Sequence, residues 1–170
     1  MKISSKAVLI LGALSLAACT DAGRLGWPGR GGDDAAGGAG VAGSISDPTS
    51  PAFFQETVGD RVLFPVDQSD LTDGARATLN AQASWLQDNP AYNAVIEGHA
   101  DEQGTGAYNI ALGARRADEV RSYLISRGIA DTRLTTISYG KERPLAICSD
   151  ESCYAQNRRA VTVLATGGTS

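Results

Sequence analysis

Residues Ile96 to Leu124, IEGHADEQGTGAYNIALGARRADEVRSYL, decide the fold. The short, largely apolar run Ala94 to His99 leads into them and predicts a buried strand. Acid, amide and glycine from Asp101 to Gly106 predict a turn. From about Ala107 the pattern becomes helical, with Ala117, Val120 and Leu124 spaced to face a core. The unit is strand, loop, helix. Asp101 leaves the strand end, and Arg116 lies about two turns into the helix. A carboxylate and a guanidinium at one mouth can grip a zwitterion, an ammonium beside a carboxylate.

Upstream, Arg61 to Phe64 (RVLF) predicts a first strand after a turn at Gly59-Asp60. A polar loop from Pro65 to Asp70 follows. Thr72 or Asp73 can cap a helix running to about Asp88, with Ala75, Leu79, Ala83 and Leu86 on one face. Asn89-Pro90 stops it. Downstream, Gly128 ends the long helix, Leu134 to Tyr139 predicts a third strand and Arg159 to Ala165 a fourth. Strands alternating with helices indicate an α/β two-layer sandwich with a mixed sheet and helices on one side.

The chain of 170 residues suits one domain with appendages. Its formal charge of −4 argues against a nucleic-acid partner, which needs clustered Lys and Arg. Residues 1–18 hold Lys2, Lys6 and an apolar run from Ala7 to Ala18. That run is short of the roughly twenty residues a bilayer span requires and fits the core of a secretory signal. Leu16-Ala17-Ala18-Cys19 resembles the bacterial lipobox, which implies cleavage before Cys19 and its acylation. Thr20 stands where an Asp resembles the signal for inner-membrane retention, so outer-membrane sorting is expected. Residues 19–50 are rich in Gly, Ala, Ser and Pro and show no apolar periodicity. They predict a tether of roughly 30 Å as a flexible coil and at most about 110 Å pulled straight. The folded domain is expected over 51–170.

No GxSxG elbow or GK[ST] phosphate loop occurs. Cys148, Cys153 and His99, the only histidine, make a poor zinc set, and no cofactor is expected. His99 is either a hydrogen-bonded structural residue under the loop or a direct ligand contact. Cys148 and Cys153 (CSDESC) lie close together in a chain that reads as exported, so a disulfide before the last strand is expected. Arg158 and Arg159 alternate across a strand, and Arg158 is the one expected to face the site.

EGHADEQGTGAYNIALGARRADEVRSYL resembles the OmpA-like peptidoglycan-binding domain. SYGKERP (Ser138 to Pro144) and YAQNRRAV (Tyr154 to Val161) are similar to its peptidoglycan-associated lipoprotein branch, over roughly Val58 to Val163. The resemblance implies a β-α-β-α-β-β fold and a non-enzymatic outer-membrane lipoprotein that holds peptidoglycan through the diaminopimelate of its stem peptide. It carries Asp101, Asn109 and Arg116 over as ligand contacts, Gln103 as a position using main-chain atoms, and Asp67 as an acid at the rim. It further implies TolB as a protein partner and a role in envelope constriction at division. The chain departs from the branch at Gln103, often Arg, and at Gly113-Ala114, often a glycine or serine followed by Glu. A porin-linked member is not expected, because no β-barrel segment precedes the domain. A flagellar stator is not expected either, since that class carries a membrane-spanning helix.

Overall fold

A computed structural model describes residues 43–166. The signal segment, Cys19 and the tether up to residue 42 lie outside the described residues. The last part of the expected tether belongs to the fold: residues 43–50 form turns, Ser50 is buried, and Trp85 Nε1 donates to the Pro48 carbonyl at 2.7 Å.

The elements run α1 (Pro51–Phe53), a π-helical turn (Phe54–Gly59), β1 (Arg61–Leu63), α2 (Asp73–Asp88), β2 (Tyr92–His99), α3 (Gly106–Ser126), a 3-10 turn (Asp131–Arg133), β3 (Leu134–Gly140), α4 (Glu151–Asn157) and β4 (Arg159–Thr166). The strands form one sheet in the order β1-β4-β2-β3. β4 is antiparallel to both β1 and β2, and β2 is parallel to β3. The expected β-α-β-α-β-β order holds, with α1 and α4 added.

Local chemistry sets the helix limits. The Thr72 side chain accepts from Ala75 N at 3.1 Å, which caps α2. Thr105 does the same for α3 through Tyr108 N. At the far end of α3, Gly128 adopts φ +97°, and the N–H groups of Gly128 and Ile129 close on the Ile125 and Leu124 carbonyls.

The buried stripe of α2, Ala75, Leu79, Ala83 and Leu86, meets that of α3, Ala117, Val120 and Leu124, over Val62, Ala94, Ile96 and Ala160 of the sheet. α3 lies unusually close to β2. A Cβ on Gly98 would stand 1.8 Å from the Gly113 carbonyl oxygen, and one on Gly113 would stand 2.4 Å from Ser138 Oγ. The glycine pair lets the helix backbone rest almost directly on the strand. This close seat fixes where the β2–α3 loop and its charged groups emerge.

Candidate functional site

Asp101 lies two residues past the end of β2 and is largely buried. Its Oδ1 accepts from Gln103 N at 3.2 Å, which shapes the loop, and its Oδ2 meets Arg158 Nη1 at 3.2 Å. Asn109, in the first turn of α3 and 1% exposed, donates from Nδ2 to the carbonyls of Gln103 (2.7 Å) and Asp101 (3.2 Å). It therefore ties the loop to the helix and does not cap the helix end, a task that falls to Thr105. Asp67, on the β1–α2 loop, takes a left-handed φ of 56° and accepts from the Tyr108 hydroxyl.

These groups share one cleft of about 290 Å³, lined by Val66, Asp67, Asp101, Gln103, Tyr108 and Asn109, among others. A larger cleft of about 520 Å³ runs along the free edge of β1 against the start of α2. It shares no residue with the first, and Arg61 is its single charged lining residue.

Two expectations need correction. Arg116 is not an open fork at the cleft wall. It is fully buried, and its guanidinium donates to the carbonyls of Gln68 (Nε, 2.8 Å), His99 (Nη1, 2.8 Å) and Pro65 (Nη2, 3.2 Å), while lying over the Phe64 ring. It staples the β1–α2 loop onto the end of β2, directly behind the cleft. Three of its five N–H bonds are used this way, which leaves one on each terminal nitrogen. Burial pushes its pKa down to about 10, against the pull of the nearby Asp101 carboxylate, so it stays charged at neutral pH. Asp101 and Arg116 form no ion pair with each other; the partner of Asp101 is Arg158.

The second correction concerns His99. Its imidazole does not line the cleft, and no hydrogen bond reaches either ring nitrogen. The ring stacks on Tyr139 at 5.6 Å, with Arg143 over the other ring at 3.6 Å, and Glu97 Oε2 is 3.6 Å from Nε2. Only the His99 main chain serves the site, through the carbonyl that receives Arg116. Burial, with the charges of Arg159 and Arg143, lowers the His99 pKa from 6.5 to about 4.

A stability prediction follows from that depressed pKa. Between pH 6.5 and 4 the unfolded chain binds a proton at His99 that the folded chain refuses, so stability falls as pH falls through this window. The loss is on the order of 2–3 kcal/mol. Urea midpoints of His99→Phe, which keeps an aromatic face toward Tyr139, are expected to fall less between pH 7 and pH 4.5 than those of the wild type. Parallel acid slopes would show that this ring does not drive the loss.

The two arginines do not alternate along one strand as expected: Arg158 closes the end of α4 and only Arg159 belongs to β4. Arg158 points to Asp101 and also pairs with Glu151 of α4. Arg159 instead donates to the Arg143 and Asn157 carbonyls. Burial works against the Arg158 charge, but Glu151 and Asp101 outweigh it and raise its pKa. The bond from Arg158 holds the exposed Glu151 below the usual carboxylate range. Tyr154 of α4 donates to Glu102 Oε1 at 2.9 Å, next to Asp101. Cys148 and Cys153 are joined in a disulfide, with Cα atoms 5.8 Å apart.

Sequence reasoning missed Glu151, Tyr154 and Tyr108. Only the first left a signal, an Asp150-Glu151 pair that reads as the start of a helix.

Among the described residues no helix is long and apolar enough to cross a membrane. The OmpA family matches residues 63–158. A peptidoglycan-associated lipoprotein of Rhizobium meliloti is 53% identical over 136 residues, 80% of this chain and 77% of the relative. One from Brucella melitensis is 47% identical over 162 residues, 95% of this chain and 92% of the relative. The crystal structure of the peptidoglycan-associated lipoprotein from Burkholderia pseudomallei superposes with a TM-score of 0.63 at 38% identity, covering 71% of this chain and 98% of that one. The C-terminal domain of Helicobacter pylori MotB shares the fold at 21% identity and a TM-score of 0.60, covering 64% and 85%. The α+β sandwich with its mixed four-stranded sheet, and the match of sequence along most of the chain, place this protein in the OmpA family, among the peptidoglycan-associated lipoproteins.

Proposed function

We propose that this protein is a non-enzymatic lipoprotein of the outer membrane, anchored through Cys19, whose periplasmic domain holds peptidoglycan noncovalently at the Asp101 cleft. The ligand is the free end of a diaminopimelate residue, an ammonium and a carboxylate on one carbon. One observation carries the reading: a largely buried carboxylate, Asp101, faces a cleft at the start of α3, with two arginines behind it. Asp101 accepts the ammonium. The carboxylate is drawn to the unpaired N–H groups at the start of α3 and to the two N–H bonds that Arg116 keeps free, once the Pro65–Gln68 segment shifts aside. Asn109 and Gln103 hold the loop that presents these groups, and Asp67 with Tyr108 forms its rim. Arg158 orients Asp101. His99 contributes through its carbonyl.

The relatives are named for their association with peptidoglycan. Membership of the Tol–Pal system, with TolB as partner and a role in envelope constriction at division, is the further part of this reading, and pull-down of TolB by the purified domain tests it. No hydrolase role is assigned, because the Asp101 side chain is engaged by Arg158 and Gln103 N, and that of the exposed Glu102 by Tyr154, so the two are not set as acid and base across one bond.

The decisive variant for wall binding is Asp101→Asn, which keeps the shape and leaves Arg158 its bond to Glu151. Co-sedimentation with purified sacculi is expected to fall at least tenfold, with the thermal midpoint lowered by only a few degrees. Undiminished sedimentation would remove Asp101 from the site. Release of soluble fragments from the same sacculi would reinstate an enzyme.

A further inference from the structure

α4 stands beside the cleft without lining it, yet two of its side chains reach the groups that do. Glu151 takes Nη2 of the Arg158 guanidinium and shares Nη1 with Asp101, at 3.4 and 3.2 Å. Tyr154 ties the Glu102 side chain, one residue after Asp101. Seven residues are too few for a helix to persist by its own hydrogen bonds. α4 is held at both ends instead. Asn157 accepts from Leu145 N (2.7 Å) and Ala146 N (3.1 Å) and donates to the Ala146 carbonyl (2.8 Å), clamping the C-terminal end to the preceding loop. At the other end the Cys148–Cys153 disulfide joins the same loop to the first turn, where Asp150 accepts from Ser152 N and Cys153 N.

We propose that α4 is a positioning element for the ligand acid, in which Glu151 and Tyr154 set Asp101 through Arg158 and Glu102, and that the Cys148–Cys153 disulfide keeps it in register. The inference rests on the peptidoglycan reading above. Glu151 shares the Arg158 charge, so Asp101 spends one oxygen on it and keeps the rest of its capacity for a ligand ammonium. With the first turn of α4 loose, Arg158 turns wholly to Asp101 and neutralises it, and Glu102 loses its tie. The Asn157 clamp lies at the other end, so the loss stays local.

A dithiol reductant opens the disulfide. It is oxidised to its own disulfide, and the two cysteine sulfurs take up its two electrons and two protons as thiols.

The test uses the full chain with its disulfide intact, titrated against a soluble muropeptide carrying diaminopimelate. Oxidised wild type must bind; if it does not, the peptidoglycan reading fails and the inference falls with it. Given that binding, dithiothreitol treatment and the Cys148→Ser/Cys153→Ser double variant are each expected to weaken affinity about tenfold. Glu151→Gln, made with the disulfide intact, is expected to do the same, and Tyr154→Phe to weaken it severalfold.

The readout that a merely structural role would not move is coupling. Glu151→Gln is expected to weaken binding by less than twofold once the disulfide is open, because both changes release the same arginine. Amide exchange should speed at residues 152–155 and stay unchanged in β2 and α2. Equal affinity of the oxidised and reduced protein overturns the proposal, as does a full tenfold effect of Glu151→Gln in the reduced protein. Should the double cysteine variant lose its thermal transition, the reversible dithiothreitol arm and Glu151→Gln decide between these outcomes.

Discussion

Replacing Gly98 by alanine is expected to abolish the cooperative thermal transition of the domain. The added Cβ would stand 1.8 Å from the Gly113 oxygen and 2.6 Å from its carbonyl carbon, both main-chain atoms of α3. Neither can swing away as a side chain does. α3 would have to retreat from β2 by roughly 1.5 Å, and every contact of Ala117, Val120 and Leu124 with the sheet would open with it. Overpacking against backbone at the centre of a two-layer core costs on the order of 4 kcal/mol or more, which approaches the whole stability of a domain this size. Circular dichroism against temperature checks it. A transition within a few degrees of the wild type would mean the strand and helix can part cheaply. Gly106→Ala serves as the internal comparison, since a Cβ there meets nothing within 4 Å, and its transition should stay in place.

Arg116→Ala carries the second large effect, and it is first an effect on folding. The change leaves the Pro65, Gln68 and His99 carbonyls without the charged donor that now serves all three, and empties the space beside Phe64. Only the His99 acceptor is buried, and stranding it costs about 1–3 kcal/mol; with the two part-buried bonds and the emptied space beside Phe64, a total on the order of 4 kcal/mol is expected. The thermal midpoint should drop by roughly 15 °C. Arg116→Lys should recover only part of this, because an ammonium cannot aim at three carbonyls in the plane of a guanidinium. A midpoint for Arg116→Ala within about 3 °C of the wild type would show that the staple is dispensable. Loss of wall binding in an Arg116 variant therefore does not by itself establish a ligand contact. Asp101→Asn is the cleaner probe.

The contrast between Asp101 and Arg116 marks where sequence stops being informative. The β2 and α3 segments were legible because apolar spacing reports which face is buried, and the ends of α2 and α3 because Thr72, Asn89 and Gly128 act locally. Proximity of Asp101, Asn109 and Arg116 followed from one strand-loop-helix unit. The partners of Arg116 did not, since two of its three acceptors lie about fifty residues away on another loop. Nothing in the type of a carbonyl distinguishes Pro65 or Gln68 beforehand. α4 was missed because seven residues give too few turns for a period to show, and its order comes from Asn157 and the disulfide rather than from apolar spacing. His99 fits neither of its two readings, a hydrogen-bonded residue under the loop or a ligand contact; its ring stacks on Tyr139 and stays neutral at pH 7.

The strand order has a consequence for assembly. β4, last of the four in sequence, sits between β1 and β2, and β1 has no other neighbour in the sheet. An emerging chain can form α2, α3 and the parallel β2–β3 pair, but β1 must wait for residues about a hundred positions later. Such distant pairing delays closure of the sheet. If the chain is exported as proposed above, that delay keeps it pliable until almost all of the domain has passed the translocon.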